Sequence, residues 1–314
     1  MFAPPPSIVA ETFARLPDDL RLSGRRSAWL DTHLRGASRH SLLEGPSFDR
    51  EGRLYLVDVA FGRVFRVSTE GMFTVVAEYD GQPNGLKINA DGQIYIADHK
   101  NGLVLLDPDS GRVSTVLGES HDGPFKGLND LFFASNGDLY FTDQGQSGQQ
   151  DRSGRVFRWR ASGHLHLVMD GIPSPNGIVM NRDETCLYVC VTRDNAVWRL
   201  PLLSNGDVSK VGAFIRMSGG IGPDGLASDI ADGLAVAHIG LGAVWIFNAR
   251  GEPTLRIDMP EGLSPTNVAF GGADGRTLYI TEADSGSIVT ARVSAPGRPM
   301  HGGPTRFTDT ESAT

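Results

Sequence analysis

Only two of the 314 residues are cysteines, Cys186 and Cys190, both in the segment CLYVCV. On one extended strand a separation of four residues means roughly 13 Å of rise. That is too far for a bond between them, so a disulfide framework is excluded and a reducing compartment is expected. No apolar run approaches the ~18 residues of a spanning helix. The start, MFAPPPSIVAETF, has no basic region and carries three prolines, unlike a secretory leader. Basic clusters are also missing: 29 Lys and Arg against 37 Asp and Glu give a net charge of -8. An electrostatic footprint for nucleic acid or anionic lipid is therefore absent. The expectation is a soluble, cytoplasmic protein with neither nucleic-acid nor membrane partner, its oligomeric state left open.

What the chain does have is a repeat. A carboxylate or amide, most often followed by glycine, opens a short apolar segment at Glu44, Asn84, Asn129, Asn176, Asp224 and Asn267, at intervals of 40, 45, 47, 48 and 43 residues. Each opening is followed by a turn and an alternating strand, as in ADG then QIYIAD or SNG then DLYFTD, which reads as a hairpin. A third strand (RVFRVS, LVLLDP, RVFRWR, AVWRLP, AVWIFN, SIVTAR) and in most repeats a weaker fourth complete the unit. Four antiparallel strands per 40–50 residues indicate propeller blades. The fold class is thus all-β: a single-domain, six-bladed β-propeller over residues 44–293. The sixth repeat lacks a fourth strand, so residues 8–16 are expected to supply it and close the ring. Residues 17–40 fit no blade and read as an irregular insertion or flap, a determinant of specificity if it covers the mouth. Residues 294–314 read as a C-terminal tail. Trp159, Trp198 and Trp245, on third strands, read as packing between blades.

In a propeller the innermost strand of each blade lines the channel, so the six openings converge on one face. The second strands end at the same rim, at Asp58, Asp98, Asp143, Val191, His238 and Glu282. None of these twelve positions is Lys or Arg. Buried carboxylates and amides without a cation are costly, and a divalent ion relieves the conflict. The oxygen-only donors suit Ca²⁺ first, then Mg²⁺ or Mn²⁺, with Zn²⁺ an alternative. Asn-Gly and Asp-Gly are also turn formers; each opening alone reads as a turn, and the six in register, with Glu44 among them, read as a site. Asp58, Asp98 and Asp143 recur so regularly that as a set they read as caps of the following loops. His238 and His99, at or beside the rim, are candidates for proton shuttling, His238 reading also as a buried strand end. No Gly-x-Ser-x-Gly elbow occurs and neither cysteine falls at the rim, which leaves a hydroxyl or thiol nucleophile without support. No glycine-rich phosphate loop links a strand to a helix, so nucleotide binding has no support in the sequence.

The motifs EGP at Glu44–Pro46, LND at Leu128–Asp130, SPNG at Ser174–Gly177 and GPDG at Gly222–Gly225 resemble those of the SMP-30/gluconolactonase/luciferin-regenerating-enzyme-like family, with diisopropyl fluorophosphatase similar in fold and site. The resemblance spans roughly residues 42–293. It implies one divalent cation held by Glu44, Asn176 and Asp224, with Asn129 a fourth ligand or a substrate contact. It also implies hydrolysis of a small-molecule lactone, the ion polarising the carbonyl and Asp224 serving as general base or, less economically, as attacking group. Asn84, Asn129, Asp143, Gln144, His99 and His238 are the expected substrate contacts, and Asp224 and Asn129 the catalytic pair. Sugar lactonases of the family often carry Arg two residues before the third-blade Asn, where this chain has Gly127, and its rim loop Asp143–Gly154 lacks their aromatics. Both departures point to a different ring substituent. Phosphotriester hydrolysis, or a non-catalytic ligand-binding propeller, are the alternatives.

Overall fold

The computed structural model describes residues 3–303; the last eleven positions of the expected C-terminal tail lie outside the described residues. Six antiparallel sheets are arranged as a six-bladed propeller. The first four blades follow the chain, each running from inner to outer strand. Their inner strands are Leu43–Phe48, Pro83–Ile88, Leu128–Phe133 and Pro175–Met180. Those of the fifth and sixth blades are Gly222–Ser228 and Pro265–Gly271. Each inner strand touches the next, and Pro265–Gly271 returns to Leu43–Phe48, so the ring is closed.

Closure at the outside comes from the N-terminal region. Glu11–Arg15 pairs antiparallel with Ser287–Arg292 and supplies the outer strand of the sixth blade. The three residues before it do something the sequence pattern hides: Ser7–Val9 pairs in parallel with Pro253–Asp258 and becomes a fifth strand of the fifth blade. One short segment therefore staples the last two blades together, and Ala10, Ala14 and Leu16 are buried in doing so.

The apolar core lies between the blades. Val57, Leu86 and Ile96 join blades one and two; Ile178, Val189 and Val236 join four and five. Each such side chain contributes about 1.5–3 kcal/mol by leaving water. Trp159 meets Tyr95 of the preceding blade at 6.2 Å between ring centroids, and Trp198 and Trp245 pack against the large cluster spanning blades three to five. Cys186 and Cys190 are free thiols on one strand. Among the described residues no helix is long and apolar enough to cross a membrane.

Between the staple and the first blade runs a segment with a short helix, Ala28–His33. Its Leu30 is buried against Leu42, Val59 and Phe61, and the Ser27 hydroxyl bonds the Ala60 carbonyl. Arg21 donates to the Ser285 carbonyl at 3.1 Å, and Arg39 pairs with Asp284. His33 reaches the second and third blades, where it accepts a hydrogen bond from Gln146 at 2.6 Å and stands edge-on to His99 at 4.9 Å between ring centroids. The segment is thus fastened to loops on the face where the inner strands begin.

Candidate functional site

A shared backbone irregularity aims the six opening side chains. In every blade the pairing between inner and second strand shifts register at the opening, between Glu44 and Ser47, Pro83 and Gly85, Leu128 and Leu131, Pro175 and Ile178, Pro223 and Leu226, and Pro265 and Asn267. Such bulges bend a strand and redirect a side chain. The glycines that follow the openings have a steric reason. A Cβ on Gly177 would lie 2.7 Å from the Asp224 carbonyl oxygen, one on Gly85 2.8 Å from that of Asn129, and one on Gly225 would collide with the Asn267 side chain. None of these three adopts positive φ. Asn84, Asn176 and Asp224 therefore lie within strands, at points where neighbouring inner strands pack backbone to backbone, and form no turns.

Glu44, Asn84, Asn129, Asn176, Asp224 and Asn267 are all buried. Burial above all, then the charges of Asp224 and Asp130, pushes the Glu44 carboxyl well above its ordinary range. Burial also raises Asp224, to about 7, against the hydrogen bond it receives from Asn176. Asp130, missed by sequence reasoning, lies 3.8 Å from the buried Lys87 ammonium. Fully ionised, these three buried carboxylates would outnumber the one buried ammonium by two, and the raised Glu44 and Asp224 carboxyls relieve that repulsion by holding protons. Cys190 feels the same field: burial, then Asp224 and Asp130, holds its thiol protonated.

The amides are only partly satisfied. Asn129 donates to Gln144 Oε1 at 3.0 Å, yet its Oδ1, like that of Asn176, is buried without a partner. An orphaned buried oxygen is uncommon and calls for an explanation. Asn267 turns its amide sideways, donating to Glu44 Oε2 at 2.9 Å, where the Gly45 N–H also donates at 2.5 Å. Asn84 has no side-chain hydrogen bond among the described residues. No three of His, Cys, Asp and Glu come together there at metal-binding spacing, so a cation in this lumen must draw on amide oxygens. Two carboxylates and two unsatisfied amide oxygens form a hard, oxygen-only donor set, which fits a divalent cation of the Ca²⁺ type.

The second-strand ends are occupied differently. Asp58 and Asp143 are completely buried and each is gripped by an arginine directly opposite on the third strand. Arg63 reaches Asp58 at 2.5 and 3.1 Å, and Arg155 reaches Asp143 at 2.5 and 2.8 Å. Asp143 also accepts the Lys126 and Gly127 N–H groups at 2.7 and 2.8 Å, and so anchors the loop before the third blade, turned away from the lumen. Asp98 likewise takes the N–H groups of Gln82, Lys100 and Asn101. Glu282 takes those of Ser264 and Ser285. The balancing cations for Asp58 and Asp143 sit on strand positions outside both recurring rows, which is why the row pattern does not reveal them.

His99 is pushed down to about 4, by burial and then by His33, and its ring lies flat against Gly127, where a Cβ would run into it. His238 donates from Nε2 to the Gly219 carbonyl at 3.0 Å; its Nδ1 is buried and unpartnered, and burial lowers its pKa. Gln144 bridges Asn129 and Ser174 with its side-chain amide.

Among known proteins, the SMP-30/Gluconolactonase/LRE-like region is matched over residues 42–284. Lactonase drp35 of Staphylococcus epidermidis is 31% identical over 249 residues, covering 76% of this chain and 73% of that protein. Lactonase drp35 of Staphylococcus saprophyticus is 30% identical over 288 residues, covering 86% and 87%. In three dimensions the chain resembles regucalcin, a calcium-binding protein of Agrobacterium tumefaciens, with a TM-score of 0.76, 23% identity and coverage of 98% and 100%. It also resembles a gluconolactonase of Xanthomonas campestris, with a TM-score of 0.72, 21% identity and coverage of 93% and 99%. With the matched region spanning all six inner-strand openings, the chain belongs to the SMP-30/gluconolactonase/LRE-like family.

Proposed function

We propose that this chain is a lactonase, hydrolysing a small-molecule lactone at the channel mouth with one divalent cation held by Glu44, Asn129, Asn176 and Asp224. The observation that carries the reading is the pair of buried, unpartnered oxygens, Asn129 Oδ1 and Asn176 Oδ1, beside carboxylates whose ionisation burial opposes. Calcium suits this donor set best, with Zn²⁺, Mg²⁺ or Mn²⁺ as substitutes. When bound, the cation supplies Lewis acidity for the lactone carbonyl and its developing oxyanion. The relatives named lactonase drp35 support the choice of cyclic ester. Two free thiols support a reducing compartment, the cytoplasm.

Asp224 takes a proton from the water that attacks the carbonyl carbon. The ring C–O bond then breaks, and the ring oxygen receives that proton from Asp224, giving the hydroxy acid. A carboxylate that gives one oxygen to the cation keeps the other free to accept and return this proton. Neither imidazole brings a proton of its own: His99, at about 4, and His238, lowered by burial, are neutral at pH 7. Asn84, with its amide unengaged, contacts the substrate; His99 walls the site beside Gly127, and His238 offers Nδ1 as an acceptor. The test is elemental analysis of wild type and Asp224→Ala, paired with hydrolysis of a lactone panel before and after chelation. One divalent ion per chain, lost in the variant together with chelator-sensitive acid release, is expected; neither ion nor turnover in wild type would overturn the reading.

A further inference from the structure

Asn129 has two possible uses in the lumen, as an oxygen ligand or as an N–H donor to substrate, and its amide group has nearly the same shape either way round. In this structure a chain of hydrogen bonds running from Asn129 through Gln144 to Ser174 sets it with the oxygen outward. Nδ2 donates to Gln144 Oε1 at 3.0 Å, and Gln144 Nε2 donates in turn to Ser174 Oγ at 3.0 Å. Gln144 is itself pinned. Its N–H donates to the Gly127 carbonyl at 2.9 Å, and its carbonyl accepts the Ser147 hydroxyl at 2.5 Å. Ser147 Oγ accepts the Ser174 N–H at 3.0 Å. The three residues form a closed circuit from which the Asn129 amide branches. At the end of that branch is the buried, unpartnered Oδ1.

We infer that Gln144, anchored by Ser174, is a positioning residue that turns the Asn129 amide oxygen toward the cation site and so makes Asn129 an oxygen ligand rather than an N–H donor to the substrate. The inference rests on the cation-site reading above and assigns Gln144 a place behind the site instead of against the substrate. Without the acceptor at Gln144, the Asn129 amide is free to rotate, and half of its orientations present hydrogens to the cation. Partners that orient a ligand in this way typically affect affinity by about 10–100-fold.

The experiment is calcium titration by calorimetry on chelator-stripped full-length protein, comparing wild type, Gln144→Met, Ser174→Ala, Asn129→Asp and Asn129→Asp/Gln144→Met. Gln144→Met is expected to weaken calcium binding about 10-fold, and Ser174→Ala to weaken it less. A carboxylate presents oxygen however it rotates, so in the Asn129→Asp background the Gln144 substitution is expected to cost nothing. A merely structural role for Gln144 predicts equal losses in both backgrounds, and that result would overturn the inference, as would unchanged or tighter binding in Gln144→Met. Absence of calcium binding in wild type would instead sink the cation site itself. Thermal melts of the stripped proteins show whether each variant is folded.

Discussion

Asn267, at the opening of the last blade, donates its side-chain amide to Glu44 at the opening of the first, at 2.9 Å and across 223 residues of sequence. Thr266 beside it donates to the Leu43 carbonyl at 2.7 Å. The propeller is thus latched twice, by the N-terminal strand outside and by this pair at the lumen. The inner latch also holds Glu44 Oε2 in place, leaving Oε1 without a hydrogen-bond partner among the described residues.

Asn267→Ala should therefore act on both stability and cation binding. Removing one partner of a buried hydrogen bond costs about 1–3 kcal/mol. The expected outcome is a lower denaturation midpoint and weaker calcium binding, while an alanine at the exposed Glu51 changes neither. Denaturant titration with and without calcium checks it; a variant that loses stability but binds calcium as wild type does would show that Glu44 needs no such support.

The raised carboxyls make the stripped protein sensitive to pH in a definite direction. Asp224 titrates near 3.8 when unfolded and at about 7 when folded, so between those values the folded state holds a proton that the unfolded state has released. Stability then falls as pH rises through that window, and Glu44 adds to the fall. Cations compete with protons for the same oxygens. The melting-temperature gain from calcium should therefore grow from pH 5 to pH 8, and Asp224→Asn should flatten this dependence. A calcium-induced gain that is constant with pH would count against Asp224 as a ligand.

Arg155 and Asp143 form a buried pair, and removing one partner of such a pair strands the other charge at a cost of about 3–5 kcal/mol. Arg155→Met should be destabilised by that order, whereas Arg26→Ala, whose pair with Asp31 is exposed, should change stability by less than about 1 kcal/mol. Urea unfolding of both variants tests this. Equal effects would mean that the two N–H groups on Asp143 suffice to stabilise its charge.

The propeller is legible in the sequence because blade length and strand alternation are local properties: Asn84, Asn176 and Asp224 recur at blade intervals whatever their side chains do. Their division of labour is not local. Asn176 leaves its oxygen unpartnered while Asn267, in the same row, is spent on Glu44, and that difference depends on which neighbour lies across the lumen. Arg63 and Arg155 escaped notice for a similar reason. They oppose Asp58 and Asp143 through strand register, which becomes visible only once the hairpin is built. Ser7–Val9 joins the fifth blade through parallel pairing, for which no turn signal exists.

Gly225 separates two explanations of the Asp-Gly and Asn-Gly openings. If glycine served a turn, its substitution would act through backbone strain; in fact Gly225 lies in a strand without positive φ, and a Cβ there would meet the Asn267 side chain. Gly212, on the outer strand of the fourth blade, also lacks positive φ and has open space around the Cβ position. Gly212→Ala should be neutral or stabilising by about 0.4–1 kcal/mol, because alanine restricts the unfolded chain. Gly225→Ala should destabilise by about 1–3 kcal/mol through overpacking and, by pushing Asn267 off Glu44, should weaken calcium binding as Asn267→Ala does. Combining Gly225→Ala with Asn267→Ala should then lower affinity little further, since both act through one contact. Fully additive losses would place the effect of Gly225 elsewhere than on the Asn267–Glu44 latch.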